Sequence, residues 1–166
     1  TSGGFSIRYR KMGSIHDVAG MSAFSNNHDK LMYILGIMST KISNYVFKIL
    51  NPTINLQVGD FNNFPVLLTD NKTVVNVVKR NIDIAKQEWD SFETSWDFKK
   101  HPLLTHKKEV NTIEEAFNNW SAFANHQFDQ LKINEEELNR IFIDIYGLQD
   151  ELTPDVDDKD VTITRI

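Results

Sequence analysis

Hydrophobic residues recur at steps of three and four between residues 29 and 50, the spacing that places side chains on one face of a helix. Each such side chain contributes about 1.5–3 kcal/mol when fully buried, so the face is expected to be covered. Proline has no backbone N–H and biases the preceding residue away from helical geometry, so Asn51-Pro52 ends the helix. The pattern predicts one long core helix. Its apolar face consists of Leu31, Ile34, Leu35, Met38, Ile42, Tyr45, Val46 and Ile49.

Two later stretches have the same spacing and predict further packing helices. The first, from residue 72 to 92, has its apolar face at Val74, Val78, Ile82, Ala85, Trp89 and Phe92. The second, from residue 112 to 147, has its apolar face at Phe117, Trp120, Ala124, Phe128, Leu131, Leu138, Ile141, Phe142 and Ile145. The three stretches together predict helix for roughly half of the residues, above the typical ~30–35%.

Signals for helix ends lie within and around the last stretch. Residues 112 to 115 read Thr-Ile-Glu-Glu, a capping box that starts a helix. Asn134 followed by three glutamates is a second start signal, so we expect a break and a restart there. Gly147 suits the left-handed position after a helix C-terminus. The acidic residues 149 to 160 are expected to form a loop, and residues 161 to 163 an extended end.

Alternating stretches predict a smaller β part. Apolar and polar side chains alternate from residue 5 to 10, and a turn at 12 to 14 would lead into the returning strand of a hairpin. Apolar and amide side chains alternate from 54 to 58, Gly59-Asp60 would turn the chain, and residues 64 to 68 resume an extended run. The predicted fold class is therefore α+β, mainly α: long packed helices with a small β part, formed by the N-terminal hairpin and strands near 54–58 and 64–68.

The segment from residue 95 to 102 lacks a period and meets proline, so it is expected to be irregular. Its aromatic residues Trp96 and Phe98 lie beside Lys99 and Lys100, a combination that can stack on nucleic-acid bases. Large aromatic side chains are mostly buried, however. We therefore favour the alternative that these two rings fix the segment to the core.

Composition narrows the class of protein. The chain has 166 residues, 40% of them hydrophobic, enough to bury a core in one domain or a domain with an appendage. The absence of cysteine excludes disulfides and thiolate zinc sites, and a reducing cytoplasm is the simplest compartment. No apolar run approaches the ~20 residues of a membrane span, so no membrane is expected. The two ends read as linkers, which predicts a piece of a larger protein.

Charge is distributed unevenly along the chain. The formal net charge of −5 divides into +4 for residues 1 to 50, 0 for residues 51 to 110 and −9 for residues 111 to 166. Such asymmetry indicates that an anionic partner would meet the N-terminal part, while the acidic part faces solvent or a basic neighbour. Ordinary solvated surface is the alternative explanation.

Catalytic and metal-binding motifs are absent from the sequence. It contains no glycine-rich phosphate loop, no His-Glu-x-x-His and no Gly-x-Ser-x-Gly. The adjacent His16-Asp17 is interpreted as structural, because a catalytic triad is recognised by geometry and no nucleophile is placed beside this pair. The histidines are scattered along the chain, so no metal site is predicted. No residue is therefore assigned a catalytic role.

Four segments carry a resemblance to a known family. Residues 51 to 61 read Asn-Pro-Thr-Ile-Asn-Leu-Gln-Val-Gly-Asp-Phe, and residues 64 to 66, 89 to 98 and 134 to 154 follow in the same order as in that family. Together these segments resemble the adenine-specific DNA methyltransferases of the phage-exclusion (BREX, PglX) type, relatives of type II restriction-modification enzymes. The resemblance covers most of the chain.

The resemblance implies a division of roles along a longer parent protein. In this family the catalytic part, with its S-adenosylmethionine loop and Asn-Pro-Pro-Tyr motif, lies N-terminal to the matched region. Residues 1 to 70 would be the distal part of a DNA target-recognition domain, and residues 71 to 166 a helical spacer with an acidic C-terminal loop. The full-length parent would be a cytoplasmic, site-specific DNA N6-adenine methyltransferase that uses S-adenosylmethionine. This chain on its own would bind no cofactor and would be inactive.

The partners implied by the resemblance are double-stranded DNA and other defence-system proteins. Arg8, Arg10 and Lys11 are the expected phosphate contacts, and the amides of Asn55 and Gln57 are of the type that pairs with adenine. Alternatively, the two amides hold the predicted turn at Gly59. A second hypothesis for the whole chain is a non-catalytic helical protein-interaction module that binds its partner through the acidic C-terminal part.

Overall fold

Helix is the only regular secondary structure in the residues that the structure describes. It is a computed structural model, and it describes residues 5–16, 20–53, 56–107, 109 and 112–166. Helices account for 55% of these residues, which confirms the predicted helix content. No strand occurs among them, so the predicted α+β class is wrong. The elements are α1 (His28–Met38), α2 (Lys41–Leu50), α3 (Val58–Asn62), α4 (Lys72–Trp89), α5 (Pro102–Thr105), α6 (Ile113–Tyr146) and a 3₁₀ turn (Asp158–Asp160).

The chain divides into two compact units, each made of two stretches of sequence. Unit 1 comprises residues 1–79 and 137–155, and unit 2 comprises residues 80–136 and 156–166. The division falls within α4 and within α6, so each of these helices contributes residues to both units.

The predicted long helix over residues 29 to 50 is two helices. The Ser39 hydroxyl donates to the Leu35 carbonyl at 2.7 Å, and the Thr40 hydroxyl donates to the Ile37 carbonyl at 2.6 Å. These bonds satisfy carbonyls at the end of α1, and Thr40 then takes an extended conformation. The first N–H of α2, that of Lys41, donates to the Asn139 side chain at 3.0 Å. Only Met38 and Ile42 of the predicted apolar face are buried, and Ile49 is 69% exposed. The side chains that α1 and α2 bury are Met32, Tyr33, Ile37, Met38, Ile42, Ser43 and Phe47.

The core of unit 1 lies where α1 meets residues of α4 and α6. Tyr33 of α1 packs edge-on against Phe142 of α6, with ring centroids 5.4 Å apart. Gly36 of α1 lies directly against Val74 and Val78 of α4. A small residue at this point allows the helices to approach closely.

The predicted strand at residues 64 to 68 is extended chain without a partner strand. Two tyrosines hold it instead. The Tyr146 hydroxyl donates to the Pro65 carbonyl at 2.7 Å and accepts from the Leu67 N–H at 3.3 Å. The Tyr33 hydroxyl lies 3.0 Å from the Leu67 carbonyl. Burial raises the pKa of Tyr146, so its hydroxyl stays protonated and keeps its donor.

The predicted N-terminal hairpin is also wrong. Residues 5 to 16 contain no strand, although Met12 and Gly13 do form a turn, with Gly13 at φ +93°. Alternation is a weak signal when no second strand is available to pair the backbone. Residues 17 to 19, within the expected returning strand, lie outside the described residues.

The end of the predicted strand and the predicted turn, residues 58 to 60, are instead the start of a helix. Residues 54 and 55 lie outside the described part of the chain, but Val58, Gly59 and Asp60 all belong to α3. The Asp60 carboxylate accepts from the Gln57 N–H at 2.8 Å, so an acidic side chain near the helix start satisfies a free backbone donor. This capping contact favours helix over a turn at Gly59-Asp60.

The helix α6 is continuous through the predicted break at Asn134. The Asn134 side chain donates to Asn81 of α4 at 2.8 Å, so it forms an interhelical bond and not a cap. The Glu136 carboxylate accepts from the Val156 N–H at 3.1 Å, and the Glu135 carboxylate from the Thr162 N–H at 3.3 Å. The three polar residues that resembled a start signal are thus used in contacts of unit 2.

The C-terminal end of α6 matches the sequence prediction. Gly147 has φ +66°, and the Leu148 N–H donates to the Ile143 carbonyl at 3.0 Å. This pair of features is the Schellman arrangement that ends many helices.

The last residues of the chain complete the core of unit 2. Residues 161 to 163, expected to be extended, form no strand, but two of them join a buried apolar cluster. Its members are Ile84, Phe128, Leu131, Val161 and Ile163. Within the described ranges, no helix is both long enough and apolar enough to cross a membrane.

Candidate functional site

The basic residues Arg8, Arg10 and Lys11 all have exposed side chains on the segment of residues 5 to 16. This segment is attached to α2 at its first described residue. The Phe5 N–H donates to the Asn44 side chain at 3.1 Å, and the Phe5 ring lies 4.7 Å from that of Phe47. The segment is therefore anchored to α2 at Phe5, and its cations are exposed.

The two arginines have no acidic neighbour among the described residues. Arg8 donates to the carbonyl of the adjacent Ile7 at 2.7 Å, and neither Arg8 nor Arg10 forms an ion pair in that part of the chain. Exposed, unpaired guanidinium groups of this kind can meet phosphate oxygens in a bidentate manner.

Gln57, the described member of the amide pair, is the residue immediately before α3, and its side chain is exposed. Its backbone is fixed by Asp60, whose carboxylate oxygen also accepts from the Asn51 side chain at 2.6 Å. These two hydrogen bonds, first that from Asn51 and then that from Gln57, lower the pKa of Asp60. Asn55 lies outside the described residues.

The basic and amide residues are placed on separate segments of unit 1. Within the described chain, no hydrogen bond links Gln57 to Arg8 or Arg10. The Gln57 side chain belongs to the capping box at the start of α3, so the alternative role proposed for the amides, holding the backbone at Gly59, remains a prediction for Gln57 although Gly59 is helical.

The charge gradient along the sequence takes a different form in the folded chain. Unit 1 contains nine Lys/Arg and nine Asp/Glu, since its second stretch, residues 137–155, is acidic. Unit 2 contains nine Lys/Arg and fourteen Asp/Glu. The acidic excess therefore belongs to unit 2, and the cations of residues 8 to 11 belong to a unit that is neutral as a whole.

Trp96 is a residue whose exposure the sequence analysis missed. Its side chain is fully exposed, at 101% of the reference area, whereas Phe98 is half-buried. The favoured prediction that both rings fix the segment to the core is wrong for Trp96. The segment from residue 95 to 102 has no apolar period, and this absence of a predicted buried face was the feature of the sequence that could have indicated the exposure of Trp96.

His16 and His101 make structural contacts. His101 accepts from the Leu103 N–H at 3.2 Å and thereby caps α5, and its ring faces Trp120. His16 packs against Phe24 at 5.4 Å between ring centroids. Its sequence neighbour Asp17 is not among the described residues. The described ranges contain no group of His, Asp and Glu side chains that could hold a metal ion.

Two open clefts of about 660 and 470 Å³ lie on unit 1, and residues 69 to 72 line both. The residues that line them include Asp29, Lys79 and Asp144. A glycine-rich loop at a helix N-terminus is a common way to hold a nucleotide-like cofactor, and the sequence has no such loop.

Comparison with known proteins identifies homologues over nearly the whole chain. The chain is 42% identical over 168 aligned positions, 99% of its length, to the adenine-specific methyltransferase PglX of Lacticaseibacillus casei. It is 34% identical over 152 positions, 90% of its length, to the adenine-specific methyltransferase BrxX of Escherichia coli O9:H4. No family model matches.

The homologues are much longer than this chain, which spans 14% of the first and 12% of the second. The resemblance inferred from residues 51 to 66, 89 to 98 and 134 to 154 is confirmed. By sequence, the chain corresponds to a segment of the PglX and BrxX adenine-specific methyltransferases.

Proposed function

We propose that the chain is a non-catalytic, DNA-contacting segment of a site-specific DNA N6-adenine methyltransferase that serves in phage defence or restriction-modification. The observation that carries this proposal is the homology over nearly the whole chain. Exposed arginines on an anchored segment of unit 1 support it. In the full-length parent, S-adenosylmethionine is held and the methyl group transferred by residues outside this segment.

Contact with the phosphate backbone is the role we propose for Arg8, Arg10 and Lys11. Cations on an exposed segment can neutralise phosphates without reading sequence. The anchor of Phe5 on α2 limits the freedom of the segment, so fewer conformations are lost when DNA binds. Helix α2 thus acts as a support for the basic segment.

Base reading is the role we propose for Asn55 and Gln57, whose amides can donate to and accept from the edge of adenine. Asp60 fixes the backbone of Gln57 and so orients its exposed side chain from a defined position. We place the parent in the cytoplasm, with double-stranded DNA as its substrate and other defence proteins as further partners.

The phosphate contacts are tested by the double variant Arg8→Ala with Arg10→Ala in the full-length parent. Affinity is expected to fall about equally for cognate and unrelated duplexes, and the slope of log K against log salt to flatten by about 0.9 for each phosphate that is no longer neutralised. Arg80→Ala, which removes an exposed arginine of α4, is the matched control and should leave the slope unchanged. An unchanged slope in the double variant of a folded protein would contradict the proposal.

If Asn55 and Gln57 read bases, their variants should behave differently from the arginine variants. Gln57→Ala or Asn55→Ala should cost about 1–3 kcal/mol of binding free energy on the cognate site and leave the salt slope nearly unchanged. An equal loss of affinity for all duplexes would indicate that these residues contact the DNA backbone and do not read bases.

A helical protein-interaction module is the second candidate function. The acidic excess of unit 2 favours it, because such a surface attracts a basic protein partner. If the arginine variants bind DNA as the unchanged parent does, and the parent forms a stable complex with another protein without DNA, this second function becomes the better conclusion.

A further inference from the structure

The segment that follows α4 presents one tryptophan entirely to solvent. Trp96 is fully exposed, and Trp89 at the end of α4 and Phe92 just after it are exposed at 56% and 44%. Every apolar side chain between residues 86 and 100 is aromatic. A tryptophan left wholly in water forgoes the favourable burial of a large apolar surface, so its position calls for a partner outside the described residues.

The backbone on both sides of Trp96 is fixed. Ser95 is buried, and its hydroxyl donates to the Asp90 carboxylate at 2.7 Å and accepts from the Asp97 N–H at 3.1 Å. Lys86 of α4 binds both Asp90 and Asp97, the latter at 3.1 Å. Because its two neighbours are held in this network, the indole is presented with little backbone freedom left to lose on binding.

The same network changes the charge around the indole. Lys86 compensates part of the charge on Asp90 and Asp97, whereas Lys99 and Lys100 are exposed and form no ion pair within the described ranges. The next residues are fixed again, since His101 caps α5 and Pro102 is buried. Two free cations thus lie three and four residues from a protruding ring, on a segment held at both ends.

We infer that Trp96 is a stacking platform for an unpaired nucleic-acid base, with Lys99 and Lys100 neutralising the adjoining phosphates. Stacking needs one accessible aromatic face and nearby cations, and every base has such a face. The core of a protein–protein interface is depleted in lysine, whereas the exposed Lys99 and Lys100 adjoin this ring. The inference rests on the proposed contact with DNA. It concerns the binding of an unpaired base by unit 2, whereas the proposed function concerns the binding of duplex DNA by unit 1.

The test uses the full-length methyltransferase and a fluorescently labelled oligothymidine of twelve nucleotides. Trp96→Ala should weaken binding about tenfold, within the 5- to 150-fold range that corresponds to ~1–3 kcal/mol per stacked base. Trp96→Phe keeps an aromatic face and should stay within about threefold of the unchanged protein. Phe24→Ala removes another highly exposed aromatic ring, in unit 1, and should have no effect.

The lysines are tested by salt. Lys99→Ala with Lys100→Ala should reduce the slope of log K against log salt for the oligothymidine by about 0.7 for each phosphate that is no longer neutralised. The same double variant should retain the effect of Trp96→Ala when the two are combined, since stacking and charge act separately.

Two results would overturn the inference. One is oligothymidine binding that is absent, or equal for Trp96→Ala and the unchanged protein, while circular dichroism shows an intact fold. The other is a Trp96→Ala variant that binds nucleic acid normally but loses a protein partner, which would make Trp96 a protein-docking residue. Neither result affects duplex binding through Arg8 and Arg10, so the proposed function is judged independently.

Discussion

The guanidinium carbon of Arg165 lies 4.2 Å from the ring centroid of Phe128, and an Arg165 nitrogen is 2.7 Å from the Asp129 carboxylate. This contact fixes the end of a terminal segment, residues 156 to 166, on α6. Lys132 adds an ion pair with Asp158 at 2.7 Å, which raises the pKa of Lys132. Polar contacts therefore hold the edges of the segment, while apolar side chains hold its centre.

Ile163→Ala should destabilise unit 2, because it removes a buried side chain from the cluster around Phe128. The expected loss is about 2–5 kcal/mol in the free energy of unfolding. Ile166→Ala is the matched control, since Ile166 is 43% exposed, and it should change the stability by less than ~0.5 kcal/mol. Urea denaturation followed by circular dichroism measures both. A loss below ~0.5 kcal/mol for Ile163→Ala as well would mean that the terminal segment is not part of the core.

Gly36→Ala should destabilise unit 1. A Cβ at this position would lie 3.0 Å from methyl groups of Val74 and Val78, and overpacking of this kind costs about 1–3 kcal/mol. Gly59→Ala is the control, because a Cβ there meets no described atom within 4 Å and the residue is helical. It should stabilise by about 0.4–1 kcal/mol through the unfolded state. Thermal denaturation should therefore show shifts of opposite sign, and shifts of the same sign would contradict the close approach at Gly36.

Asp60 should give the fold a component of stability that disappears in acid. Its pKa is lowered by the hydrogen bond from Asn51 and then by that from Gln57, so the folded state favours the ionised carboxylate. The stabilisation is present above the unfolded pKa of about 3.9 and is lost as the pH falls through the lower, folded pKa. Asp60→Asn should lower the melting temperature at pH 7. The difference in melting temperature between this variant and the unchanged chain should become smaller below about pH 4.

The control for Asp60 is Asp83→Asn. Asp83 is exposed and makes no hydrogen bond or ion pair within the described ranges. Its substitution should leave the melting temperature unchanged at both pH values. If the melting temperature of Asp60→Asn differed from that of the unchanged chain by the same amount from pH 7 to pH 3, the carboxylate charge would not contribute to stability.

The isolated 166-residue chain should transfer no methyl group to DNA. Methylation of an exocyclic amine needs a bound donor and a polar pocket around a flipped base, and the sequence lacks both the cofactor loop and the catalytic tetrapeptide. Incubation with labelled S-adenosylmethionine and mixed-sequence duplex should leave the DNA unlabelled, with a full-length homologue as positive control. Label above background would contradict the prediction.

The apolar period gave the positions of the helices but not where they are interrupted. Periodicity indicates which residues share a face of a continuous helix, and it does not register the break at Ser39-Thr40. What ends α1 is a pair of hydroxyl groups that bond to carbonyls of their own helix, together with Asn139 from a distant part of the sequence. A local pattern does not contain a partner about a hundred residues away.

Polar residues were misread for the same reason. Asn134 with Glu135 and Glu136 has the composition of a helix start, but a long-range contact competes for each side chain. Of the candidate site, the exposure of Arg8 and Arg10 followed from their charge, whereas that of Trp96 did not follow from its hydrophobicity. Ser95, Asp90 and Lys86 hold the ring outward through bonds that no period reveals.

The interleaving of the two units along the sequence has a consequence for synthesis on the ribosome. Unit 1 needs residues up to 155 and unit 2 needs the segment from 156 to 166, so neither can close until most of the chain has emerged. Until then, the helices that have already emerged expose apolar faces, which makes the incompletely folded chain prone to aggregation and to chaperone binding. For the same reason, a chain that ends at residue 79 would lack residues 137–155 of unit 1. A chain that begins at residue 80 would contain residues 137–155 without the rest of their unit.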